Sequence, residues 1–227
     1  MINELIAFLY ERIKNESEKV RTRKPTTREG FELEKTLELA MAQFCHERKA
    51  TTITIYPARY ELDAPTFSGQ RHQFDLMVQD GNHYIVAECK RRKGTSTRDQ
   101  ILTFCAKLID YGLGFHVYKY ESSIRGVFLS TAAVPDGSVV YALGMGVEPI
   151  AVNFPPIEYL LTVIKEGTPL RQKLLDIRKE IAVMWPGIMN APRRDGHTIL
   201  ESYRNHYALW KEAVNSHGQL QESSNRS

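Results

Sequence analysis

The stretch HQFDLMVQDGNHYIVAECKRRKG, residues 72–94, holds the side chains best suited to chemistry. Asp75 lies on one strand-like segment, and Glu88 and Lys90 lie on the next. Between them Asp80-Gly81-Asn82 is a hairpin turn signal. Side chains alternate along a strand, so Glu88 and Lys90 share one face with Val86, while Ala87 and Cys89 share the other. Two turn registers are open. With Gly81-Asn82 as the loop, Asp75 stands opposite Glu88; with Asp80-Gly81, it stands opposite Val86 and diagonal to Glu88. Either even-length turn leaves Asp75, Glu88 and Lys90 on one face. Directly opposed Cβ atoms lie about 4.5–5.5 Å apart, close enough for two carboxylates to share one cation.

Two carboxylates at that spacing repel unless something neutralises them. A hard divalent cation such as Mg²⁺, with Mn²⁺ as a substitute, does so through oxygen ligands while keeping water in its shell. Water of lowered pKa can attack phosphorus, and the ion offsets charge on a phosphodiester transition state. Lys90 could orient that water or stabilise the developing charge. Acid, acid, x, Lys is therefore a coherent set for metal-assisted phosphodiester hydrolysis. The spacing Glu-x-Lys alone is weak, because Glu47-Arg48-Lys49 repeats it at a helix end. The preceding apolar strand, the tight turn and the Asp at matching parity are what single out Glu88-Cys89-Lys90.

The elements that must hold these residues follow from pattern. Ile2 to about Lys19 is a helix with Leu5, Leu9 and Ile13 at spacing four, and residues 21–29 form a basic, Pro-containing linker. Residues 30–48 make a second helix with Leu33, Leu37, Met41 and Phe44 on one face. TTITIY (51–56) is a strand, followed by a polar loop and then the hairpin. Residues 97–111 form a helix ending at Gly112, 126–131 a strand, Asp136 to about Gly144 a helix, PIAVNF a strand and IEYLLTVI a helix. Residues 170–184 and 197–215 read as further helices, with HGQLQESSNRS as a disordered tail. A meander of strands followed by strand–helix alternation predicts an α/β fold: a mixed sheet with helices on its faces.

At this point the chain resembles the PD-(D/E)xK, restriction-endonuclease-like superfamily, and within it the Mrr-like and Holliday-junction-resolvase-like nucleases. GFELEKTLELAMAQF is similar to the family's first core helix, SGQRHQFDLMV to the strand bearing the metal-binding Asp, and HYIVAECK to the Glu-x-Lys strand. RGVFLSTAAVPDGSVVYALGMGVEPIAV resembles the later strand, helix and strand. Together they span roughly residues 30–165 in the family's α-β-β-β-α-β order. The resemblance implies a nuclease core over 30–165, an N-terminal helix and linker over 1–29, a helical extension over 166–218 and a tail over 219–227. It implies Asp75 and Glu88 as metal ligands with the backbone carbonyl of Cys89 as a third, Lys90 as the catalytic lysine, and Glu34 as a first-helix acid, with Glu32 its rival. Gln100 matches half of a Gln/Tyr pair that some relatives carry on the next helix; its partner position holds Phe104, and Phe74 departs from the small or aliphatic residue common before the Asp. DNA is the implied partner, and the resemblance also allows a homodimer.

Lys90-Arg91-Arg92-Lys93, with Arg98 beyond, is the densest basic run, and it leaves the lysine strand at the proposed active edge. Contact with DNA phosphates is the functional reading; a solvated loop is the plain one. Arg21, Arg23, Lys24 and Arg28 form a second basic stretch that serves equally well as a linker. Thirty Lys and Arg against 27 Asp and Glu give a net charge of only +3 over 227 residues, so bulk charge identifies no partner. No GxSxG motif, phosphate loop or full dinucleotide fingerprint is present. The histidines form no ligand pair, and Tyr203, Tyr207 and Trp210 sit at the helical spacing of packing residues. Three scattered cysteines fit reduced thiols in a cytoplasm better than a disulfide framework. A catalytically silent DNA-binding module on the same fold, or a nuclease acting on RNA, would carry the same motif.

Overall fold

A computed structural model describes residues 1–20, 26–93, 98–145 and 147–176, with isolated positions at 178, 208, 211, 212 and 215. Helix α1 (Ile2–Val20) turns Leu5, Ile6, Leu9 and Ile13 inward. Helix α2 (Thr27–Glu47) begins three residues before the expected linker ends. Thr26 caps it, its hydroxyl accepting from the Glu29 N–H while the Glu29 carboxylate accepts from the Thr26 N–H at 2.6 Å. Thr26-x-x-Glu29 is a capping box, which satisfies two orphan donors and draws residues 27–29 into the helix.

The central sheet has five strands: β1 (Ile53–Tyr56), β4 (Leu76–Asp80), β5 (His83–Lys90), β6 (Ser123–Ser130) and β7 (Val147–Ala151), in the order β1-β4-β5-β6-β7. The pairs β1/β4 and β4/β5 are antiparallel; β5/β6 and β6/β7 are parallel. Helices α3 (Arg98–Val117) and α4 (Asp136–Gly144) supply the two crossovers that parallel pairs require. Alternation sorts the sheet cleanly. Met77, Tyr84, Val86, Ile124 and Phe128 pack with α3 and α4, whereas Leu76, Val78, Ala87, Cys89, Val127 and Leu129 pack with α1 and α2. The short helix α5 (Ile157–Val163) follows β7 and lies against α1, where the Tyr10 and Tyr159 rings are 4.7 Å apart. The chain is thus α/β, a mixed five-stranded sheet flanked by helices.

Three expectations are corrected. The polar loop after β1 contains a second, two-stranded sheet, β2 (Tyr60–Glu61) paired with β3 (Gln73–Phe74). Residues 72–78 are therefore not one strand; the chain bends at Asp75, between β3 and β4. Phe74 and Met77 both face the α3 side, three residues apart, which an unbroken strand would forbid. Helix α3 does not stop at Gly112 but runs to Val117. Gly114 serves close approach: a Cβ there would fall 2.3 Å from the Pro65 carbonyl oxygen. Strands β6 and β7 also start earlier than expected, and Phe154 joins only by an isolated bridge to Ala151. Residues 169–176 are helical; the remainder of the 170–184 helix, nearly all of the 197–215 helix, the aromatic trio near 207 and the C-terminal tail lie outside the described residues.

Candidate functional site

The turn fixes the site. Asp80 pairs with His83 around Gly81-Asn82, Gly81 taking φ 58°, so Leu76 stands opposite Ala87 and Asp75 lies one step beyond the ladder, beside Glu88. The bend removes Asp75 from strand pairing, and its carboxylate Oδ2 accepts the Cys89 N–H at 2.7 Å. Lys90 reaches back along β5: its Nζ lies 2.5 Å from Glu88 Oε1 and 3.6 Å from Asp75 Oδ2. One cation therefore already bridges the two carboxylates. The other Glu88 oxygen, Oε2, lies 3.4 Å from Lys107 Nζ on α3, and that ammonium also donates to the Gln73 carbonyl at 3.0 Å.

From the opposite face α2 contributes Glu34, buried and paired with Arg59, whose Nε lies 2.7 Å from Glu34 Oε2. Arg59 is tied to the same bend, its N–H donating to the Asp75 carbonyl at 3.2 Å. Glu32, the rival acid, is solvent-exposed and pairs with Arg28. Glu34 thus faces the carboxylate cluster and Glu32 does not.

The electrostatics follow from burial. Desolvation, then the nearby Glu88 charge, raises the Asp75 carboxyl from 3.8 to about 6, against the pull of Lys90. Burial works against the Lys90 ammonium, but Glu88 and Asp75 outweigh it and its pKa ends above the ordinary lysine value. The Cys89 thiol is fully buried and pushed well above its usual range, so only its backbone is available for chemistry.

A cavity of 560 Å³ opens beside this cluster, lined by Glu34, Arg59, Cys89 and Lys90 below and by Phe31, Arg91, Arg92, Lys93 and Gln100 around it. A second cavity of 410 Å³ lies across Arg92 and Lys93, which line both. The basic residues divide. Arg91 is turned inward, Nη2 3.5 Å from Glu16 and Nη1 donating to the Glu29 carbonyl, so it clamps α1 and α2 to the end of β5. Lys93 and Arg98 are exposed, and Arg92 is half-buried with its N–H on Thr131 Oγ1. Gln100 Oε1 is buried without a hydrogen-bond partner at the cavity wall, whereas Phe104 is sealed in the core against Phe74 and Phe128. Arg21, Arg23 and Lys24 lie outside the described residues.

Among the described residues no group of three or more His, Cys, Asp or Glu side chains is arranged as a metal site. The donor set nevertheless fits a cation: Asp75 and Glu88 converge on the Lys90 ammonium, and both are oxygen donors of the kind hard divalent ions take. Sequence reasoning missed Arg59 and Lys107. The signal for Lys107 was present, two helical turns after Gln100 and so on nearly the same side of α3. Arg59 sits in a turn after β1 with φ 62°, and no sequence pattern marks it.

No helix among the described residues is long and apolar enough to cross a membrane. No protein-family model matches the chain, and no curated protein matches it. A crystal structure described as that of a protein of unknown function, AF1548, aligns at a TM-score of 0.35 with 11% identity, covering 77% of this chain and 96% of its own. At that score it carries no argument about fold or function.

Proposed function

We propose that this chain is a divalent-metal-dependent nuclease that hydrolyses DNA phosphodiester bonds, built on a restriction-endonuclease-like core over residues 30–165. The observation that carries the reading is the convergence of Asp75 and Glu88 on one cationic position at the end of β5, beside a cavity rimmed by Arg92 and Lys93. Asp75, Glu88 and the Cys89 carbonyl would hold Mg²⁺ or Mn²⁺, which when bound supplies water activation and charge neutralisation. Lys90 leaves the carboxylates for the attacking water or the phosphate oxygens. Lys107 keeps Glu88 oriented from α3, and Glu34 is held at the cavity floor by Arg59 as an acid that reaches the ion through water. Arg92, Lys93 and Arg98 meet backbone phosphates, and Gln100 offers an unsatisfied acceptor to the substrate or a bound water. Arg91, engaged with Glu16, supports the loop from behind. Three cysteines that form no disulfide fit a cytoplasmic setting.

The test is supercoiled plasmid incubated with pure protein, with and without Mg²⁺. Metal-dependent nicking that is lost in Asp75→Ala and in Lys90→Ala is the expected outcome; nicking that persists in both sinks the mechanism. A single-stranded RNA run in parallel decides between nucleic acids.

A second reading has one observation in its favour. Lys90 and Lys107 both pair with Glu88, as they would in a silent DNA-binding module. Salt-sensitive DNA binding with no Mn²⁺ uptake by calorimetry would favour that reading.

A further inference from the structure

Phe31 stands out at the cavity rim. It is 47% exposed on the second turn of α2 and lines the same cavity as Lys90 and Glu34. Its ring is not loose: the Arg59 guanidinium carbon sits 4.9 Å above the ring centroid. Arg59 is itself fixed at both ends. Its backbone holds φ 62°, secured by its N–H on the Asp75 carbonyl and by its own carbonyl accepting from the Gln73 amide; its side chain is held by Glu34. A bulky residue at positive φ stores backbone strain that the surroundings must over-determine, and such strain gathers at sites of function. The turn that presents Asp75 therefore also fixes a guanidinium–aromatic stack a short distance away.

An aromatic ring backed by a cation and open to a polar, basic cavity has a natural ligand class. Every nucleobase has a π face, and stacking on an aromatic side chain tolerates any sequence. Lone exposed apolar residues on a surface need no explanation. This one is braced by a strained arginine and shares a cavity wall with the lysine that binds both carboxylates.

Resting on the phosphodiesterase reading, we propose that Phe31, backed by Arg59, is a stacking platform for an unpaired nucleobase next to the scissile phosphate. The preferred substrate then presents a single-stranded or splayed nucleotide at the cut, because a base inside a duplex must be unstacked to reach the ring.

The experiment uses the full chain and a short single-stranded oligodeoxynucleotide carrying 2-aminopurine, titrated in Ca²⁺, with the fully paired duplex of the same sequence alongside. Wild type quenches the single-strand fluorescence. Phe31→Ala binds the single strand about tenfold more weakly, with duplex affinity moved by less than about twofold, and Phe31→Trp restores both affinity and quenching. Because Phe31 is exposed, the melting temperature of each variant stays at the wild-type value. Single-strand affinity and quenching unchanged in Phe31→Ala would overturn the platform while leaving the nuclease reading intact. An equal loss on single strand and duplex, or no rescue by Trp, would overturn it too. If wild type binds neither nucleic acid at low salt, the nuclease reading itself falls, and the platform with it.

Discussion

Among the described residues, two clusters in which a pair of acids shares one cation resemble each other until access is considered. At the end of β5, Asp75 and Glu88 share Lys90. Between β6, β7 and α5, Glu148 and Glu158 share Arg125, which is ion-paired to Glu148 and lies 3.6 Å from Glu158. In both, burial and then a neighbouring carboxylate push an acid upward, Asp75 to about 6 and Glu158 to about 7. A perturbed acid is therefore no marker of function in this molecule. The difference lies in the cation and the surroundings. Lys90 is a point charge on a flexible stem at a cavity wall, where the proposed function has another cation take its place. Arg125 is a planar fork set between two acids that are each only 4–5% exposed, and its cluster lines neither of the two cavities. On the proposed reading the first cluster exchanges its counter-ion, whereas in the second both acids are sealed from solvent although Arg125 itself is 30% exposed.

The sharpest way to break that distinction is to disturb one member of each cluster. Lys90→Ala is expected to lower plasmid nicking by about 10²–10³-fold, the scale of losing one preorganised group on a developing charge. Glu158→Gln leaves the rate per folded molecule unchanged. Next in size, Arg125→Met strands two buried carboxylates and costs about 3–5 kcal/mol in urea unfolding. Lys90→Met costs less, because Lys107 still holds Glu88. If the two substitutions destabilise equally, the sealed and exchangeable clusters are not different in kind.

The mixed sheet and the grouping of Asp75, Glu88 and Lys90 on one face were legible in the sequence, because alternation and an even-length turn are local rules; the strand order was not, and the choice between two turn registers stayed open until the structure fixed it. The bend at Asp75 was not. It depends on β3 pairing with β2 across a loop whose Tyr60 and Gln73 carry no strand-length pattern. Gly112 read as a stop because glycine usually ends a helix, but α3 runs on through it, and at Gly114 close contact with the Pro65–Thr66 segment requires a residue without a Cβ. The basic run showed where phosphates could be met but not which side chain turns inward. Arg91 is claimed by Glu16, 75 residues away on α1, and no spacing rule reaches that far. Nor did any local pattern mark Arg125, Glu148 and Glu158 as one cluster, since each sits on a different element.

Smaller effects refine the comparison through pH. Asp75 has a folded pKa above its ordinary value, so its contribution to stability is full below about pH 4 and is lost as pH rises through about 6. Asp75→Asn keeps an acceptor for the Cys89 N–H and removes that penalty. Its melting temperature should exceed wild type above pH 7, by an amount worth at most about 3 kcal/mol, and match it in acid. Adding Mn²⁺ raises the wild-type melting temperature by mass action and leaves Asp75→Asn unmoved, closing the gap. Glu158→Gln carries the same sign, since Glu158 is also raised, and gains about 1 kcal/mol as pH climbs past about 7. Its gain is the same with or without Mn²⁺, because Arg125 already holds the position between Glu148 and Glu158. A metal-dependent gain in Glu158→Gln would mean that the sealed cluster also exchanges its cation, and access would no longer separate the two.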